Sequence, residues 1–138
     1  MISKKCTYAL KAVLVLARNH GGSPMTIHQI AKDEDIPPRF LEAILRDLKQ
    51  NGLTDSIRGK DGGYRLSHPP REVTIGQVVR AVEGPWFPSE EDSPRDVLFP
   101  IWKDASNALH QVLDGKNFET LIAEQDKLHG GTIHNYSI

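Results

Sequence analysis

The chain has 138 residues, of which 25% are charged and 38% hydrophobic, with a net charge of -1 and a single cysteine. That length holds one compact domain, or a small domain with an accessory arm. One cysteine excludes an internal disulfide and a Cys-x-x-Cys metal cage, and no apolar run reaches the roughly 20 residues that a membrane-crossing helix needs.

The charge is unevenly distributed. Residues 1–84 carry 13 Lys plus Arg against 9 Asp plus Glu, a net of +4, whereas residues 85–138 carry 4 against 9, a net of -5. A basic first part suits a polyanion and the acidic remainder something else, although unrelated soluble proteins show splits of this size. With no basic-then-apolar leader at its start, the chain is expected to be soluble and cytoplasmic.

From Thr7 to Arg18, Tyr8, Leu10, Ala12, Val13, Leu14, Val15, Leu16 and Ala17 cover most of a helix circumference. This predicts a largely buried helix, stopped by Asn19-His20-Gly21-Gly22. Lys4 and Lys5 lie just ahead of it, where basic side chains reach a phosphate backbone. Thr26 and Gln29 have the spacing of a capping box, which opens a helix to about Asp33 with Ile27, Ile30 and Ala31 inward. After the acidic turn Asp33-Glu34-Asp35, Pro38 suits the first turn of another helix, where its missing N–H has no intrahelical partner anyway.

In that helix Phe40, Leu41, Ile44, Leu45 and Leu48 share one stripe, which leaves Arg39, Glu42, Ala43, Arg46 and Lys49 on the opposite side. An outward Arg-Glu-Arg face suits a solvated surface as well as a reader of bases. The following hairpin favours the second reading. Asn51-Gly52 ends the helix, Leu53 to Arg58 is predicted as a strand, Gly59 to Gly63 as a turn and Tyr64 to Leu66 as the return. Arg58 and Lys60 then sit at a narrow tip with Arg65 close by, and such a tip suits the concentrated negative potential of a minor groove. Helix, turn, helix and glycine-cornered hairpin make a winged helix-turn-helix, which presents its second helix to the DNA major groove.

Thr74 caps a further short helix to Val82, with Ile75, Val78 and Val79 inward, and Gly84-Pro85 breaks it. Trp86 to Pro94 reads as an exposed acidic loop. Leu98, Ile101, Trp102, Ala105, Ala108, Leu109, Val112 and Leu113 then recur at three- and four-residue intervals, an amphipathic helix ended by Gly115. Its stripe must be covered by its own domain or by a second copy, and a dimer lets two heads read two half-sites. The stripe residues Leu98, Ile101, Trp102, Ala105, Leu109 and Val112 are therefore expected at a dimer interface. Phe118 to Glu124 adds a short helix, and the residues after it read as a flexible tail.

The expected fold is thus mainly α with a small β-hairpin wing: a DNA-binding domain over residues 1–84, a loop over 85–96, a long dimerisation helix with a short following helix over 97–125, and a tail over 126–138. No glycine-rich phosphate loop, no histidine pair at metal spacing and no supported Ser-His-Asp arrangement is present, so an enzyme is not expected. A non-DNA interaction module built on the same scaffold remains an alternative, because the charge split serves a protein partner equally well.

Taken together, Ile2-Ser3 with Lys5 and Tyr8-Ala9-Leu10, then Ile36 to Leu48, Asn51-Gly52-Leu53, Ser56-Ile57-Arg58-Gly59, Gly62-Gly63-Tyr64-Arg65-Leu66 and Val79 to Pro85 resemble one family. It is the family of bacterial winged-helix regulators that includes IscR, NsrR and CymR. The resemblance implies a homodimeric transcriptional regulator on double-stranded DNA with an inverted-repeat operator. It places Arg39, Glu42, Ala43 and Arg46 on the recognition helix and Arg58 in the wing. Lys5, Tyr8 and Tyr64 are implied as backbone contacts or supports, with Thr26, Pro38 and Lys60 beside them on the expected DNA-binding face.

The chain departs from the family pattern in three places. Pro37 stands where members often carry a serine or threonine cap, and Cys6-Thr7 where they often carry Gly-Arg. Cluster-binding members hold three cysteines before the long helix, but residues 86–101 contain neither cysteine nor histidine here, so no cofactor is expected. Cys6 reads either as an inert buried thiol or as a redox-sensitive one. The loop and tail look more like the cluster-free CymR branch, whose resemblance implies cysteine synthase as a partner for Tyr136, Ser137 and Ile138, through a terminal carboxylate gripped by backbone N–H groups.

Overall fold

Ser3 opens the first helix. Its side-chain oxygen accepts the Cys6 N–H at 3.1 Å, so α1 spans Lys4–Arg18 and takes in the two lysines expected ahead of it. In the computed structural model the described residues are 2–87 and 95–137, with side chains described as far as Gly130. The helix α2, Ile27–Glu34, starts at the expected capping box: the Gln29 N–H donates to Thr26 Oγ1 at 3.2 Å and the Thr26 N–H to Gln29 Oε1 at 2.9 Å. Asp35 then turns the chain at φ 52°, a left-handed conformation that aspartate tolerates, and Ile36 drops into the core. Pro37 precedes α3, Pro38–Gln50, without a side-chain cap bond.

The hairpin β1, Thr54–Ile57, and β2, Gly63–Leu66, pairs antiparallel with Thr54 opposite Leu66 and Ile57 opposite Gly63. A feature with no sequence signal ties it down. Met25 and Tyr64 exchange backbone hydrogen bonds at 2.9 and 2.7 Å, so the strand-like segment before α2 lies along β2. Gly63 permits that approach, since it has φ +151° and a Cβ there would lie 2.4 Å from the Met25 carbonyl oxygen. A 3-10 turn at Pro70–Glu72 leads to α4, Ile75–Glu83, whose Thr74 and Gln77 form a second capping box.

The core is built around α1. Ala9, Val13 and Leu16 meet Ile30 of α2, Leu41, Ile44, Leu45 and Leu48 of α3, and Val78 of α4. Phe118 joins the same cluster at 1% exposure, from the first residue of α6, Phe118–Ser137. The chain before α4 and the chain before α6 are stitched together there, because the Phe118 N–H donates to Val73 O and the Ile75 N–H to Lys116 O, both at 3.0 Å. Farther along, Arg18 of α1 donates to Gln125 and Asp126. The residues around Phe118 therefore share the winged-helix core, where sequence periodicity assigned them to a separate arm. The short helix expected from Phe118 to Glu124 runs on as α6 to Ser137.

Between them lies α5, Phe99–Asp114, which has no fully buried residue. Its end is fixed by Arg80 of α4, whose guanidinium grips both Asp114 oxygens at 2.8 and 3.1 Å. Gly76 lets the two helices approach, since a Cβ at that position would lie 2.0 Å from an Asp114 oxygen. Among the described residues no helix is long and apolar enough to cross a membrane.

Candidate nucleic-acid interface

Burial of the Leu41, Ile44, Leu45 and Leu48 stripe leaves α3 with its opposite side in solvent, and Arg39, Glu42 and Arg46 are exposed there. Ala43 is half-buried beside them. Arg39 lies over the Phe40 ring at 5.1 Å, and Phe40 packs against Tyr8 of α1 with ring centroids 5.1 Å apart. Tyr8 thus supports the start of α3 through Phe40 and is itself half-buried. Among the described residues, the side chains of Glu42 and Arg46 make no hydrogen bond or ion pair, which leaves one anion and one cation on adjacent turns for an outside partner.

Lys5, expected as a backbone contact or a support, forms an ion pair with Asp47 of α3 at 2.7 Å. Its side chain stays about one third exposed, so the contact sets α3 against α1 at a partly solvated position. Lys49, at the other end of α3, donates to Ser56 of β1 at 2.6 Å. Sequence reasoning placed Lys49 on the outer face but missed this bond, because the alternation that turns Ser56 toward the helix is not evident in a strand of four residues. Through it the helix and the wing are set relative to each other.

In the wing, Arg58 and Lys60 are exposed and, among the described residues, have no hydrogen-bond or ionic partner. Gly59 turns at φ +114°, and a Cβ on Gly62 would lie 2.1 Å from the Ile57 carbonyl oxygen, so both glycines are needed for the narrow tip. Tyr64 is half-buried and its backbone carries the Met25 bonds, which makes it a support of the wing. Thr26 and Lys60 share a groove of about 270 Å3 between the start of α2 and the wing tip, with Gln29 and Asp61. Thr26 Oγ1 accepts the Gln29 N–H, so its hydroxyl proton remains available to donate. Pro38 lies exposed at the first position of α3.

On α5 the expected apolar stripe divides. Leu98, Ile101 and Val112 are 45%, 56% and 68% exposed, while Trp102, Ala105 and Leu109 are half-buried and Trp102 stacks on Phe87 at 6.0 Å. The side chains of Tyr136, Ser137 and Ile138, and residues 88–94 of the acidic loop, lie outside the described residues. Cys6 is fully buried at the start of α1, and burial together with the nearby Glu83 carboxylate pushes its thiol up to about 11.

Residues 2–124 match the family described as Rrf2, an iron-dependent transcriptional regulator. The HTH-type transcriptional regulator CymR of Bacillus subtilis is 34% identical over 130 residues, which cover 91% of each chain. An rrf2-like HTH-type regulator of Rhodobacter capsulatus is 47% identical over 91 residues, 64% of this chain and 61% of that one. The solved structure of CymR, described as the global cysteine regulator of B. subtilis, superposes with a TM-score of 0.75 at 33% identity, covering 90% of this chain and 97% of that one. The donors an iron-sulfur cluster needs do not match this chain: clusters are held by several thiolates, and the one cysteine is enclosed and kept protonated. Among the described residues no three His, Cys, Asp or Glu side chains gather as a metal site either.

Proposed function

This chain belongs to the Rrf2 family of transcriptional regulators, and on that premise we propose that it is a homodimeric repressor without an iron-sulfur cluster. It reads an inverted repeat in double-stranded DNA with α3 in the major groove and Arg58 in the adjacent minor groove. The observation that carries this reading is the pairing of exposure with fixity. Arg39, Glu42, Arg46 and Arg58 are exposed, while the elements that bear them are tied by Lys5–Asp47, Lys49–Ser56 and the Met25–Tyr64 bridge. Arg46 suits the O6 and N7 acceptors of a guanine and Glu42 the N4 amine of a cytosine, so the helix carries discriminating groups as well as charge. The exposed positions on α5 support a second copy as the cover of that helix.

Selecting bound duplexes from a random pool tests the reading. Enrichment of an inverted repeat, with half-sites about 10 base pairs apart or a multiple of that, is the expected result; a pool without enrichment contradicts it. We propose cysteine synthase as a partner of Tyr136, Ser137 and Ile138, a reading in keeping with the description of the similar CymR as a global cysteine regulator, and removal of residues 135–138 should abolish that contact. Unchanged affinity for that enzyme after the truncation would eliminate this part of the proposal.

A further inference from the structure

A cleft of about 280 Å3 opens between the end of α1 and the base of the wing. Asn19, His20 and Gly22 line one side, Asp55, Arg65 and Ser67 the other. Strand alternation separates it from the surface described above: Ser56 faces Lys49 of α3, so Asp55 and its cross-strand partner Arg65 lie on the opposite face of the hairpin.

Asp55 and Arg65 stand directly opposite each other in the ladder, where opposite charges ordinarily pair. They do not. Both are exposed, and among the described residues neither has an ion pair or side-chain hydrogen bond. Ser67 adds a hydroxyl that is enclosed and lacks any hydrogen-bond partner, so rotating it toward a ligand breaks no protein bond. Leu16 and Leu66 back the cleft as core residues only 1% and 5% exposed, and Leu66 faces the α3 side of the hairpin with Thr54 and Ser56, so the groups offered to a ligand are polar. One uncommitted cation, one uncommitted anion and a spare hydroxyl fit a small zwitterion. A guanidinium holds a carboxylate through two parallel bonds, and an aspartate takes an ammonium. The volume falls just below the roughly 300–1,000 Å3 of sites for drug-sized ligands, which favours a single small metabolite over a nucleotide.

We propose that this cleft binds a free α-amino acid, its carboxylate on Arg65 and its ammonium on Asp55. Occupancy joins the turn after α1 to the base of the hairpin that carries Arg58. Only the consequence of this for DNA rests on the function proposed above.

The test uses the full chain without DNA, so its failure leaves the DNA reading standing. Each of the standard L-amino acids is titrated singly while backbone amide resonances are followed. At least one should move the amides of residues 19–22, 55 and 65–67 saturably below about 10 mM. Its deaminated acid, its decarboxylated amine, and the variants Asp55→Asn and Arg65→Gln should each bind at least about tenfold more weakly, as loss of a charged hydrogen bond requires. Both substitutions fall on exposed strand positions, and an otherwise unchanged amide spectrum verifies the fold. The proposal is overturned if no amino acid moves those amides, if binding survives either substitution, or if the affected amides lie elsewhere.

Discussion

Cys6 owes its chemistry to where it sits. Desolvation inside the core and the Glu83 carboxylate both disfavour the thiolate, and with the thiol near 11 instead of its ordinary 9.0 the reactive form is about 100-fold scarcer at neutral pH. Labelling by a thiol-specific disulfide reagent at pH 7.5 should therefore run at least about 100-fold slower in the native protein than in urea; equal rates would contradict the burial. Burial favours the inert reading of Cys6, and the Glu83 carboxylate that adds to it lies on another helix, a contact the sequence does not reveal. Local residue chemistry was more legible. Thr26 with Gln29 and Thr74 with Gln77 form the bonds their spacing predicts, since both partners of a capping box lie within one turn.

Among the elements, α2, α3, α4 and the hairpin could be read from periodicity and turn residues, whereas what fixes them to one another could not. The Met25–Tyr64 bridge joins backbone to backbone and leaves no mark in composition. It does give Gly63 a role that can be measured. A methyl group there would collide with the Met25 carbonyl in a backbone conformation already unfavourable to other residues, so Gly63→Ala should lower the unfolding free energy by about 2 kcal/mol or more and loosen the wing. Urea denaturation checks this, and a loss under about 0.5 kcal/mol, the range of an ordinary surface change, would contradict it. The same non-locality explains why Phe118 was expected only in a peripheral helix. Nothing in its neighbours distinguishes a docked aromatic from an amphipathic one.

Two contacts between elements also set a pH dependence. The Ser3 hydroxyl and N–H hold the Glu83 carboxyl below its ordinary 4.5, and Arg80 holds that of Asp114 below 3.8. A lowered pKa means that the stabilisation is complete above the ordinary value and is lost as the pH falls through the folded one. Melting temperature should therefore fall on acidification below about pH 4.5, and less steeply in Glu83→Gln and Asp114→Asn; parallel curves for wild type and both variants would contradict the assignment.

For the whole molecule, the decisive features are the exposed half of α5 and the orientation of two DNA-reading heads that a dimer would provide. The amphipathic stripe was legible, but its division was not, because Trp102 stacks on Phe87 from a different segment while Ile101 and Val112 remain in solvent. Ile101→Asp with Val112→Asp should convert a sedimenting dimer to a monomer with unchanged helicity, since both side chains are exposed within the chain. A dimer that survives both charges would place the interface elsewhere.

The most direct test of the central claim is the affinity for a selected operator duplex, measured by fluorescence anisotropy as the salt concentration is raised, for the wild type and for Arg46→Ala with Arg58→Ala. Phosphate contacts predict that log affinity falls linearly with log salt, with a slope of about -0.9 per contact, and loss of the two arginines should weaken binding at least tenfold at every salt. An affinity indifferent to salt, or equal in wild type and variant, would contradict the account and leave the scaffold as a module for a protein partner.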